Sequence, residues 1–378
     1  MDFDLSEAQR RRREEVLAGV RRQVSSLAEP RVPFSRAEWL EAARLGMTGL
    51  CLPSEYGGGG LGALDTALCL EAFTEGGADT GLAFAASAHL LACAVPVLDY
   101  ATDQARAELL PGMAGGELVA ANAMTEDGAG SDVGTLATTI VRDGGDYVLD
   151  GAKSFVSNAS AADVFVVYGT SDRDAGFLGQ TALAVPRQLP GIKVGEPFTK
   201  MGLHACPAGR VEFSGCRVPA RYRLGAEGQG SAIFKHSMTW ERTCLFAIYL
   251  GQMRRQVDDC VAHARRRRQF GRSIGSFQAV SHRIATMIQR MESARLLLYR
   301  ACWLLDQGRP DTQATALSKL AVSEAAVANS LDALQIFGGP GYLAGAGSEA
   351  QLRDSMPSVI FSGTSDIQRE IIANGAGL

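Results

Sequence analysis

No Cys-x-x-Cys pair occurs in this chain, and its eight cysteines (51, 69, 93, 206, 216, 244, 260 and 302) are scattered. Most sit beside apolar neighbours, which predicts small buried hydrophobes in a reducing compartment rather than a disulfide framework. The five histidines are equally dispersed and offer no metal-ligand spacing, so no metal is expected. No unbroken run of eighteen apolar residues is present, so a membrane span is not expected. The opening MDFDLSEAQRRRREE is charged and lacks the apolar core of a signal peptide, which predicts a cytoplasmic protein. A net charge of -4 gives no bulk attraction to nucleic acid or anionic lipid. The run Arg10–Arg13 is expected to be a solvated helix face; a second run, Arg265–Arg268, returns below.

What is present falls into three textures. Over 378 residues, with 46% hydrophobic content, two or three packed domains are expected. Residues 1–118 are rich in Ala, Leu, Glu and Arg at helical spacing, broken by Gly and Pro. Residues 119–225 change to short β-branched runs such as ADVFVVYGT and GRVEFSGCRVP, the pattern of antiparallel strands in a small barrel or sandwich. Residues 226–378 return to the helical period. There Ile284, Ile288, Met291, Ala294, Leu298, Ala301 and Leu305 predict the apolar stripe of a bundle helix. The fold class is therefore α+β: a helical domain, a β-domain and a helical bundle, not a doubly wound parallel sheet.

Several stretches carry chemistry. Gly57, Gly59 and Gly62 spell G-x-G-x-x-G, but no strand leads in and no βαβ unit follows, so a glycine-rich turn is expected. In NAMTEDGAGSD the glycines let backbone amides approach an anion, and Ser131 adds a hydroxyl. In GAKSFVSN, Phe155 and Ser157 alternate onto one strand face, suited to a flat heteroaromatic ring. RRRRQFGRSIGSFQ sets basic residues and Phe270 before a turn, and QIFGGPGY breaks a helix with glycines. FSGTSDIQREIIA opens the last helix with Thr364 or Ser365 as the cap. Finally, WERTCLFAIYLG opens an apolar and therefore buried segment with Glu241 and Arg242, a costly place for a carboxylate unless it is paired or used.

Taken together, AMTEDGAGSD, KSFVSNASAADVFVVYGTSD, KMGLHACPAGRVEFSGCRVPA, RRRQFGRSIGSFQAVSHRIA, QIFGGPGY and FSGTSDIQREIIA resemble the acyl-CoA dehydrogenase family of flavoproteins, in order and spacing, over essentially the whole chain. The resemblance implies an N-terminal helical domain, a middle β-barrel and a C-terminal four-helix bundle, assembled as a tetramer, with FAD between the last two. Carried over by position, Met124 and Thr125 would touch the flavin pyrimidine edge. Ser131 would meet the pyrophosphate or the substrate's thioester arm. Phe155 would pack beside the isoalloxazine and Ser157 would bond near N5. From a neighbouring subunit, Arg267, Phe270, Gln335, Gly338 and Gly339 would reach the adenosine half. Thr364 and Asp366 would close over the pyrophosphate and AMP.

Many members of that family carry an acidic residue, their catalytic base, just before the last Gly-Thr-Ser, where this chain has Ser362. A serine hydroxyl is almost never ionised near neutral pH and cannot take that role. A minority place the base in a Glu-Arg pair on the first bundle helix, which here is Glu241 with Arg242 beside the substrate. Glu241 would remove the α-proton of a thioester as hydride leaves the β-carbon for the flavin. The stretches SMTWERTCLFAIYLGQM and RMESARLLLYRACWLLDQG resemble the branch acting on acyl groups tethered to carrier proteins, the prolyl-carrier-protein dehydrogenases. The expectation is FAD-dependent dehydrogenation of a carrier-bound acyl or aminoacyl thioester in natural-product biosynthesis. Its electron acceptor would be oxygen or an electron-transfer flavoprotein. A short-chain acyl-CoA dehydrogenase, or a relative with flavin monooxygenase or non-redox chemistry, are the alternatives.

Overall fold

The computed structural model of the chain describes residues 4–27 and 34–378. Six helices come first: α1 (Glu7–Leu27), α2 (Arg36–Arg44), α3 (Ala63–Glu75), α4 (Thr80–His89), α5 (Val95–Tyr100) and α6 (Asp103–Gly115). Side-chain oxygens start three of them by accepting an orphan amide: Ser35 from Glu38, Asp79 from Leu82 and Thr102 from Ala105. A wide π turn, Leu90–Ala94, joins α4 to α5. The stretch Thr80–Tyr100 is long and apolar enough to cross a membrane by composition, but 94% of its most apolar window is buried inside the molecule. It is the core helix of the N-terminal layer.

The middle layer is one eight-stranded sheet. Its strands are β1 (Ala120–Ala123), β2 (Thr139–Asp143), β3 (Asp146–Ser157), β4 (Val164–Thr170), β5 (Gln180–Pro186), β6 (Ile192–Val194), β7 (Ala208–Pro219) and β8 (Arg223–Leu224). Their order is β6-β7-β3-β2-β4-β5-β8, with β1 beside β4. Pairing is antiparallel except along β4, where β1 runs parallel from Ala120 opposite Val164 to Ala123 opposite Val167, and Thr139 of β2 pairs in parallel with Thr170. Every residue of β4 and β5 is buried, which their unbroken apolar runs VFVVYGT and TALAV require.

The third layer holds α7 (Gly230–Trp240), a second π turn (Glu241–Leu245), α8 (Ala247–Arg266), a hairpin of β9 (Arg268–Gln269) and β10 (Arg272–Ser273), α9 (Gln278–Asp306) and α10 (Thr312–Phe337). The short α11 (Gly339–Tyr342), α12 (Gly347–Ser355) and α13 (Ser365–Gly375) follow. Helices α8, α9 and α10 pack on one another, and α3 lies against α8. Gly251 makes that last contact possible, since a Cβ there would stand 2.1 Å from the carbonyl of Glu71 and 2.2 Å from Oγ1 of Thr74.

Two sequence expectations change in detail. On α9 the buried residues are Ile284, Met287, Met291, Ala294, Leu298, Ala301, Cys302 and Leu304, while Ile288 is 40% exposed and Leu305 half-buried. Ile284, Met287, Met291, Ala294, Leu298 and Ala301 follow alternating steps of three and four residues, the seven-residue seam of packed helices, and Ile288 falls outside it. The Arg10–Arg13 face is not wholly solvated: Arg12 pairs with Asp65 at 2.7 Å and Arg13 with Glu75, which fastens α1 to α3. The Gly57–Gly62 segment is a turn as expected, Gly57 having φ of 84°. The first two amides of the helix it opens are already taken by Asp306, that of Ala63 at 2.5 Å and that of Leu64 at 3.0 Å. All eight cysteines are free thiols, seven buried and Cys51 half-buried.

Candidate active site

Glu241 is the first residue of the π turn that breaks α7 from α8. A π turn inserts an extra residue into the helical ladder and re-aims the side chains at that point. Glu241 is left only 7% exposed. Its Oε1 accepts a hydrogen bond from the hydroxyl of Ser362, which lies between α12 and α13. Arg242 forms no ion pair with it among the described residues; instead its Nε donates to the carbonyl of Ser362 at 2.7 Å. The two neighbours therefore grip one serine, Glu241 through its side chain and Arg242 through its backbone. Burial pushes the Glu241 carboxyl above the usual glutamate range, against the opposing pull of the Ser362 hydroxyl and the Arg242 charge.

The walls around this carboxylate come from all three layers. Cys93, from the π turn facing it, and Tyr168, from β4, both feel its charge. Phe361 sits between Phe84 at 4.6 Å and Phe246 at 5.3 Å between ring centroids, an apolar wall beside Ser362. On α10, Lys319 is fully buried, its Nζ 5.4 Å from the Phe246 ring centre and without a hydrogen-bond partner among the described residues. Burial and the Arg242 charge lower Lys319 to about 8.

A second set of predicted residues lies on the sheet. Met124 and Thr125 follow β1, and both carbonyls are tied down: Met124 accepts from Lys153 Nζ at 3.0 Å, and Thr125 from the Ser154 amide at 2.8 Å. The same Nζ reaches Glu126 at 2.7 Å, whose carboxylate also takes the amides of Ala137 and Thr138. The sequence reading missed this buried Lys153–Glu126 buttress; a lysine in the middle of the otherwise strand-like GAKSFVSN was its only signal. A bulge in β3 between Lys153 and Val156 then turns Phe155 outward, 67% exposed, with φ of 53°. Its ring meets Phe198 at 5.2 Å, and Ser157 follows half-buried.

The remaining predicted residues lie farther along the chain. Phe270 is 91% exposed with φ of 50°, at the tip of the two-residue β9–β10 loop where Asn-Gly is the usual choice. Phe270 and Gln335 line one cavity of about 370 Å³ with Ile274, Phe277 and Arg283. Arg267 caps α8 at the base of that hairpin, exposed. Gly338, with φ of 66°, and Gly339 break α10 from α11. Thr364 caps α13 by accepting from the Ile367 amide, while Asp366 pairs with Arg369 on its own helix at 3.0 Å. Ser131 stands exposed on its loop. A larger cavity of about 760 Å³ touches this constellation only through Phe198.

Five non-glycine residues among those described have positive φ: Phe155, Asn158, Leu203, Phe270 and Ser362. Aromatic rings held in that costly conformation and left in water are typical of a ligand clamp. A Cβ added at Gly128, Gly130, Gly338 or Gly339 would meet nothing within 4 Å, so the chain's own packing does not demand the open backbone there. Exposed aromatic faces and open glycine backbones fit a large flat ligand with a phosphate-bearing tail.

Family models match the chain in three consecutive blocks: the acyl-CoA dehydrogenase N-terminal domain over residues 6–117, the middle domain over 121–216 and the C-terminal domain over 228–377. The chain belongs to the acyl-CoA dehydrogenase family. It is 53% identical over 341 residues, 90% of each chain, to an L-prolyl-[peptidyl-carrier protein] dehydrogenase of Pseudomonas fluorescens. It superimposes on the structure of PigA with FAD and proline with a TM-score of 0.94 at 40% identity, covering both chains fully. The prolyl acyl carrier protein oxidase AnaB gives 0.96 at 36% identity over 99% of this chain and all of its own. The three-layer order described above is this family's fold.

Proposed function

We propose that the chain is an FAD-dependent dehydrogenase of a carrier-bound prolyl-type thioester, with Glu241 as its base. The observation that carries this reading is a buried carboxylate, raised by burial, on a π turn and hydrogen-bonded by Ser362. Likeness to two carrier-protein enzymes, each covering nine-tenths or more of the chain, supports the substrate class. Met124, Thr125, Phe155 and Ser157 would hold the flavin ring, and Ser131 the pyrophosphate or thioester arm. Arg267, Phe270, Gln335, Gly338 and Gly339 of a neighbouring copy would hold the adenosine half. Thr364 and Asp366 would close the pyrophosphate end.

FAD, when bound, supplies the hydride acceptor. Glu241 takes the α-proton onto a carboxylate oxygen, and Arg242 keeps Ser362 in place through its carbonyl. Phe84, Phe246 and Phe361 form an aromatic cluster beside Ser362 that would keep water from the carboxylate. We further propose a cytoplasmic homotetramer that passes its electrons to oxygen or to an electron-transfer flavoprotein. Anaerobic titration of the yellow protein with L-prolyl thioester, on a peptidyl carrier protein or on coenzyme A, tests the substrate. Bleaching of the flavin by the carrier-bound form alone supports the reading. Equal bleaching by short acyl-CoA thioesters makes the chain a conventional short-chain enzyme instead.

A further inference from the structure

We propose that Ser362 is a positioning residue for Glu241: its hydroxyl holds one carboxylate oxygen so that the other faces the substrate. This inference rests on the reading of Glu241 as base. Absence of an acid at position 362 says only that the base lies elsewhere, whereas the geometry gives the serine work of its own. Its Oγ donates to Oε1 of Glu241, and Oε2 accepts no hydrogen bond among the described residues. The serine backbone has φ of 56°, a conformation that a non-glycine residue keeps only when its surroundings fix it.

Those surroundings are visible. Arg242 Nε holds the Ser362 carbonyl at 2.7 Å, and Gln368 Nε2 holds the Gly363 carbonyl at 3.2 Å. Gly363 has φ of 89°, and a Cβ there would stand 2.8 Å from Gln368 Nε2. Thr364 then caps α13, so the turn cannot swing. A hydroxyl on a swivelling loop would follow the carboxylate wherever it went; one on a clamped turn dictates where the carboxylate sits.

The groups that face Glu241 are Arg242 on its own turn, Cys93 on the facing π turn and Tyr168 on β4, with Lys319 of α10 behind Arg242. Among the described residues none but Ser362 donates a hydrogen bond to the carboxylate. The hydroxyl opposes the upward push of burial. Removing it raises the carboxyl further, and since the base acts when ionised, the acid limb of the rate profile moves to higher pH.

The test is anaerobic flavin reduction across pH in the FAD-loaded enzyme with prolyl carrier-protein thioester, for Ser362→Ala, Ser362→Gly and Glu241→Gln. Ser362→Gly relieves the backbone conformation, so one hydroxyl-free variant folds even if Ser362→Ala does not. Loss of the hydroxyl is expected to slow reduction roughly tenfold at neutral pH and to move the acid limb upward. FAD content and KM should stay near wild type. Wild-type profiles in both the Ala and Gly variants, with Glu241→Gln inactive, overturn this inference alone. An active Glu241→Gln variant overturns it together with the base assignment.

Discussion

A side chain that removes a proton from carbon must be a stronger base than a glutamate in water, and burial is the means available to Glu241. Arg242 moderates that effect through space and also anchors Ser362, so Arg242→Gln should act twice. The carboxyl rises when the cation is lost, and it rises again if the serine loosens. Flavin reduction should therefore fail at a higher pH on the acid side than in wild type, with the plateau rate also lowered. A pH profile of single-turnover reduction measures both, and an acid limb displaced downward contradicts the assignment. At this scale the sequence showed the acid, the arginine and the two exposed phenylalanines, because each breaks its local pattern. It did not show that Ser362 donates to Glu241, since the two are 121 residues apart and meet only through the fold.

The elements carry the site by means that periodicity cannot display. Two π turns, Leu90–Ala94 and Glu241–Leu245, pack against each other, and each is one extra residue within an otherwise unbroken helical pattern. A hydrophobic stripe reads the same with or without it. The close contact of α3 and α8 is likewise marked only by one small residue in AIYLGQM. Replacing it should be felt: Gly251→Ala puts a methyl into the Glu71 carbonyl and Thr74. The expected cost is about 1–3 kcal/mol of stability. Because α8 continues directly from the Glu241 turn, flavin reduction should slow as well. Thermal unfolding of the apoprotein beside single-turnover rates checks this; an unchanged Tm would show that the helices can part freely. Hairpin β9–β10 and the β3 bulge were legible only as places where a phenylalanine interrupts a polar or glycine-rich stretch.

For the whole molecule, the order of helical layer, sheet and bundle was readable because each layer has its own residue texture over about a hundred positions. The parallel register of β1 against β4 was not, since the two strands pair across the intervening β2–β3 hairpin. Phe270 is 91% exposed and lines the cavity with Gln335. If a neighbouring copy places that ring on the adenosine half of FAD, Phe270→Ala should leave the fold of the chain unchanged. FAD retention should fall, roughly tenfold in affinity. Flavin content after gel filtration, with mass from light scattering, measures this, and full retention would remove the ring from the cofactor site.

All of this turns on whether the carboxylate at the π turn moves the proton. Anaerobic stopped-flow reduction of FAD by prolyl carrier-protein thioester should be at least about a hundredfold slower in Glu241→Gln than in wild type, with equal FAD content. A variant that bleaches at the wild-type rate would contradict the proposal.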